Sequence, residues 1–84
     1  MSTSNESITL LLFAGLAQQA GESEISWPYQ PLTLDELYTE LCAHFKLPRR
    51  ESRLRAAVNH HFKEWSDTYN QGDTIAFIPA VSGG

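Results

Sequence analysis

The sequence has a single cysteine, Cys42, among its 84 residues. That excludes an intramolecular disulfide framework and a cysteine-rich zinc site. Basic residues are scarce too: six Lys plus Arg stand against ten Asp plus Glu, a formal net charge of −4. Nonspecific binding to nucleic acid draws on clustered basic groups, and an acidic balance does not suit it. Long hydrophobic runs are missing. The apolar stretch from Ile8 to Leu16 has no basic flank of the signal-peptide kind. It also falls far short of the roughly 20 residues that a membrane-spanning helix needs. The expectation is a soluble cytoplasmic protein with neither nucleic acid nor membrane as its partner. There is no Gly-rich phosphate loop and no serine-centred nucleophile elbow.

What remains is globular in character, with 42% apolar and 19% charged residues. The length allows one domain and no second. A domain of this size buries only about 60–65% of its unfolded surface, which leaves few core positions for a deep catalytic pocket of its own.

Met1–Ser7 is polar and reads as a disordered N-terminus over residues 1–7. Ile8–Ala14 is a short apolar run of strand length, ended by Gly15. Leu16–Gly21 suits a brief helical turn, and Ile25–Tyr29 a weaker second strand closed by Pro28 and Pro31. Thr33-Leu34-Asp35-Glu36 is a capping box, flanked by Leu32 and Leu37 as a hydrophobic staple. Leu34, Leu37, Tyr38, Leu41 and Phe45 recur at helical spacing, and the acidic start and basic end match the helix dipole. The spacing predicts a helix over residues 34–46, stopped by Pro48. Leu54–Asn59 and His61–Glu64 read as two short strands about a tight turn, with Asn59 and His60 in unusual backbone conformations. Gly72 is placed at positive φ, and the β-branched and aromatic run Thr74–Ile78 forms a final strand that Pro79 ends.

One amphipathic helix among several strands calls for a two-layer α+β arrangement. Both apolar runs become central if the first strand lies parallel to the last, with the helix in the crossover. That is a β-grasp, a mixed sheet packed on one main helix. The domain spans residues 8–79 and is followed by an extended, flexible tail over residues 80–84.

Conventional sites are poorly supported. His60 and His61 are adjacent, so on a strand they point to opposite faces, and His44 has no second ligand at i+4. No metal site is expected. Cys42 neighbours the apolar stripe and is either an inert packing residue or a reactive thiol. Arg49, Arg50, Arg53 and Arg55 form either a solvated loop or a dock for an acidic partner. The C-terminal stretch offers a different chemistry. Residues 79–84 bear no charged side chain, end in Gly83-Gly84, and extend roughly 20 Å at about 3.3–3.6 Å per residue. Such a tail can thread a narrow tunnel and present its carboxylate to another protein's active site. Adenylation would supply a leaving group, and a sulfur nucleophile would then give a thiocarboxylate on Gly84.

Three segments carry a resemblance: Leu12-Phe13-Ala14, Leu54-Arg55-Ala56-Ala57-Val58-Asn59, and Gly72-Asp73 through Val81-Ser82-Gly83-Gly84. In these the chain resembles the MoaD-type small subunit of molybdopterin synthase, within the MoaD/ThiS sulfur carriers of ubiquitin-like fold. The resemblance implies that an E1-like adenylyltransferase of the MoeB type uses ATP to adenylate Gly84, with no cofactor bound to the chain itself. It implies that the thiocarboxylated tail, threaded by Ser82 and Gly83, enters a MoaE-type large subunit that holds the catalytic side chains. Sulfur then passes to cyclic pyranopterin monophosphate in a heterotetramer of two small and two large subunits. By the same analogy Phe13, Ile78, Pro79 and Val81 form the apolar dock for both partners. Two alternatives share the terminal chemistry in whole or part: a ThiS-like carrier for thiamine synthesis and a ubiquitin-like modifier joined to lysines. A third is an interaction module with an inert tail.

Overall fold

The computed structural model describes residues 6–50 and 53–79. Alternation in β1 (Ser7–Leu12) sends Ile8, Leu10 and Leu12 inward, where each is buried. β5 (Thr74–Pro79) does the same with Ile75 and Phe77. The two strands pair in parallel, Leu10 opposite Ile75 and Leu12 opposite Phe77. β2 (Glu24–Pro28) pairs antiparallel with β1, while β3 (Leu54–Val58) pairs antiparallel with both β5 and β4 (His61–Lys63). The sheet order is β2-β1-β5-β3-β4. A short α1 (Gly15–Ala20) links β1 to β2, and α2 (Leu34–Phe45) lies in the crossover. This is the expected β-grasp.

The helix begins where its capping box requires. Thr33 Oγ1 accepts from the Glu36 amide at 3.1 Å, and Glu36 Oε1 accepts from the Thr33 amide at 3.0 Å. The next orphan donors are met by the loop after β4: the Leu34 and Asp35 amides donate to the carbonyls of Asp67 and Trp65. Leu34, Leu37, Tyr38 and Leu41 are buried against the sheet. Tyr38 and Trp65 both pack on Phe77, the latter stacked with its plane only 6° from parallel.

The short elements α1, β2, β3 and β4 each shift by a residue at one or both ends from the sequence reading, and four further boundaries differ for reasons visible in the structure. β1 starts at Ser7, so the polar N-terminus is ordered earlier than expected: the Tyr29 amide donates to the Glu6 carbonyl and the Gly72 amide to the Ser7 carbonyl. β1 ends at Leu12 rather than Ala14, because Ala14 turns the chain at φ 54° and the Leu16 amide closes onto the Phe13 carbonyl. α2 is ended by Lys46 in the left-handed conformation, two residues before Pro48. Pro79 belongs to β5, paired with Leu54 beyond the last β1 partner, where only one neighbouring strand remains. Residues 1–5 and the tail residues 80–84 lie outside the described residues.

Candidate functional site

The outward face of the sheet follows from the same alternation that fills the core. Leu11, Ala76 and Ile78 face away from α2, as does Ala57, which pairs with both Phe62 and Ala76. Ala57 is buried and Ala76 half-buried, so small side chains make a floor, and Phe13 and Phe62 stand above it. Leu11, Phe13, Ala57, Phe62, Ala76 and Ile78 enclose a concavity of ≈ 240 Å³. Phe13 (44% exposed) and Phe62 (67%) are the large hydrophobics left in solvent among the described residues, and both sit here. Two exposed aromatics on one apolar hollow form a patch of the kind that marks a contact surface.

The structure therefore brings two of the predicted docking residues together, Phe13 and Ile78. Pro79 does not join them. It points the other way along β5 and lines a second cleft of ≈ 560 Å³ with Leu16, Pro48 and Leu54. Val81, Ser82, Gly83 and Gly84 lie outside the described residues. Phe62 was missed by the sequence reading. Its signal was an aromatic centred between His61 and Lys63 in a strand too short to bury anything, with all three residues exposed.

The arginine cluster divides by role. Arg50 donates to Asp35 Oδ1 at 3.1 Å and stacks over Trp65 at 4.5 Å, so it ties the α2–β3 connection to the body of the domain. Arg49 and Arg53 line the larger cleft together with Lys46. Arg55 lies exposed on the outward face, directly opposite Ile78.

Cys42 is half-buried, and its thiol donates to the Pro48 carbonyl at 3.4 Å. Burial pushes the thiol pKa up, partly offset by a hydrogen bond with Tyr38. A raised pKa withholds the thiolate, which fits the inert packing residue rather than a nucleophile. His44 stands edge-on to Trp27 and Phe45, and His61 Nδ1 lies 3.1 Å from the Asn59 carbonyl. No cluster of three or more His, Cys, Asp or Glu that could hold a metal occurs among the described residues. No helix there is long and apolar enough to cross a membrane.

A mixed five-stranded sheet grasping one long helix, with an apolar hollow on its open face, defines a ubiquitin-like protein. The ThiS family model matches residues 10–84. The chain belongs to the ThiS family, the ubiquitin-like sulfur carriers that include the MoaD type. Solved structures share the fold at low identity. SAMP1 from Haloferax volcanii is 22% identical, with a TM-score of 0.77 over 93% of this chain and 99% of that one. A protein assigned as molybdopterin converting factor subunit 1 of Pyrococcus furiosus is 21% identical, with a TM-score of 0.75 over 92% and 100%. A ubiquitin from Caldiarchaeum subterraneum is 22% identical, with a TM-score of 0.63 over 96% and 100%. No curated protein matches the sequence.

Proposed function

We propose that this chain is the small, sulfur-donating subunit of molybdopterin synthase. The observation that carries the reading is the family match running through Gly84 on a domain whose central strand ends at Pro79, beside an apolar hollow. In this reading the Gly84 carboxylate attacks the α-phosphate of ATP on an E1-like, MoeB-type enzyme and releases pyrophosphate. A sulfide-level nucleophile attacks the acyl carbon, the C–O bond to AMP breaks, and AMP leaves with the thiocarboxylate formed on Gly84. The tail, with Ser82 and Gly83 lacking bulk, then enters a MoaE-type large subunit, and sulfur passes to cyclic pyranopterin monophosphate. The two subunits form a heterotetramer with two copies of each. Phe13, Ile78 and Val81 dock the partner's apolar surface, with Phe62 added to that set and Pro79 serving to aim the tail. What supports the reading in the fold is the apolar outward face, a surface that a partner can grip.

The test is intact-protein mass spectrometry after incubation with ATP, the activating enzyme and a sulfur source, followed by addition of the large subunit and cyclic pyranopterin monophosphate. Replacing oxygen by sulfur adds about 16 Da, the covalent intermediate expected of split chemistry. Loss of that increment with formation of molybdopterin supports the assignment. Transfer only to a thiazole-forming enzyme would move the chain to thiamine synthesis. A lysine-linked adduct in place of the increment would make it a modifier, as the name of the Haloferax volcanii small archaeal modifier protein 1 describes that relative.

A further inference from the structure

The larger cleft is not part of the apolar hollow, and its charge is unlike that of the rest of the molecule. Five of the six Lys and Arg residues fall between positions 46 and 55, with Glu51 the one carboxylate in that window. The other nine carboxylates lie elsewhere, so an acidic chain carries one concentrated basic edge. The fold holds part of this edge in place. The Pro48 carbonyl accepts from the Tyr38 hydroxyl at 2.9 Å and from the Cys42 thiol, and Arg50 is pinned by Asp35 and Trp65. Arg49, between these two anchors, lines the cleft instead, with Lys46 and Arg53. Arg50–Asp35 is the ion pair found among the described residues, so these three cations have no acidic partner there.

We propose that this cleft binds an extended acidic segment with an apolar anchor residue, presented by the enzyme that adenylates Gly84. The inference rests on the sulfur-carrier reading and deepens it by naming a second contact for that partner. The floor is apolar (Leu16, Pro48 and Leu54) and the rim is cationic. The buried side chain on this cleft that carries a donor, Tyr38, directs its hydroxyl to the Pro48 carbonyl. The cleft therefore lacks the fixed, convergent donors that orient a small polar ligand. Exposed guanidinium and ammonium groups around an apolar floor instead suit carboxylates on either side of a buried hydrophobic side chain. Pro79, the last described residue before the tail, forms one wall. A protein that grips the tail must cover this end of the domain, so the cations would steer its approach and fix its register.

Two measurements test this on the full chain. In an NMR titration, the end-blocked octapeptide EDELFDED should shift the amides of Gly15, Leu16, Arg49 and Arg53 and leave Ala57, Phe62 and Ala76 unmoved. The neutral octapeptide QNQLFNQN should not. In pyrophosphate exchange with the activating enzyme, the double variant Arg49→Glu/Arg53→Glu should raise KM for the carrier about tenfold at unchanged kcat, an effect of rim charges on encounter. Equal shifts with the neutral peptide, shifts confined to the outward face, or an unchanged KM would each overturn the proposal. Should the wild-type chain not be adenylated at all, the sulfur-carrier reading fails, and the titration still decides the cleft.

Discussion

Asn59 and Thr74 exchange two hydrogen bonds: the Asn59 amide donates to the Thr74 carbonyl at 2.8 Å, and the Thr74 amide donates to Asn59 Oδ1 at 2.9 Å. Asn59 Nδ2 also reaches Asp73 Oδ1 at 3.1 Å, while Asp73 Oδ2 accepts from the Asn70 amide. One side chain thus joins the β3–β4 turn to the start of the central strand. Asn59 holds this position at φ 51°, a conformation that asparagine tolerates better than most residues.

Asn59→Ala should therefore destabilise the fold twice over. It removes the acceptor of the Thr74 amide, worth about 0.5–1.5 kcal/mol. It also takes away the local side-chain bonding that lets asparagine hold positive φ, which adds roughly 1 kcal/mol that glycine, without a β-carbon, does not incur. Asn59→Gly loses only the first contribution. Urea unfolding of the two variants should put the alanine midpoint below the glycine midpoint, and both below wild type. Equal midpoints for all three would show that these bonds contribute nothing net.

The outward face makes a different forecast, because its residues are exposed by design of the alternation rather than by accident. Ile78→Lys puts an unpaired charge into an apolar hollow and a second cation opposite Arg55. Binding to the large subunit should weaken by at least about 2 kcal/mol, or roughly thirtyfold. Phe62→Ala should weaken it less while leaving stability within about 0.5 kcal/mol, since the ring is 67% exposed. Calorimetric affinities equal to wild type in both variants would remove this face from the interface.

The elements legible in the sequence were those fixed by local chemistry. The capping box at Thr33, the stripe from Leu34 to Leu41, the positive φ of Gly72 and the Asn59–His60 turn all follow from neighbouring residues, and the structure has each. The parallel β1–β5 pair followed from the need to bury two apolar runs together. The misses share a cause as well. Ala14 and Lys46 take positive φ without glycine, because the surrounding fold over-determines a turn there. Phe62 is set on the outward face by its register with Ala57, and the basic cleft is assembled from α1, the α2–β3 connection and β5. The hairpin register is local, but which face it presents is set by the pairing of Ala57 with Ala76 on β5, and the cleft is likewise built from distant segments, so no window of sequence holds either.

Deletion of Gly84 separates folding from chemistry. The buried core runs from Ile8 to Phe77, well short of the tail. The shortened chain should unfold within about 2 °C of wild type, the scale of a negligible free-energy change, yet gain no mass with ATP and a sulfur source. A thiocarboxylate on the truncated protein would refute the role given to that residue.

Tyr69 offers a test of the core by pH. Its ring is buried edge-on against Tyr29, and its hydroxyl has no hydrogen-bond partner among the described residues. Burial pushes its pKa up to about 12, with Tyr29, Glu40 and Glu36 acting in the same direction. Between the unfolded value near 10 and the folded value, the unfolded chain releases a proton that the folded chain retains. Stability is thus fully present below about pH 10 and declines by about 1.4 kcal/mol per pH unit as the pH rises toward 12. Cys42, also raised by burial, contributes a decline of the same sign starting from a lower pH. Tyr69→Phe should remove the decline above about pH 10 and leave the cysteine's share, which Cys42→Ala removes in turn. At neutral pH the phenylalanine variant loses no hydrogen bond and sheds an unsatisfied buried hydroxyl. Its stability should equal or exceed wild type by up to about 1–2 kcal/mol. Urea melts at pH 7 and at intervals up to pH 11.5 read both effects, and a destabilised variant at pH 7 would mean that the hydroxyl has a partner in solution.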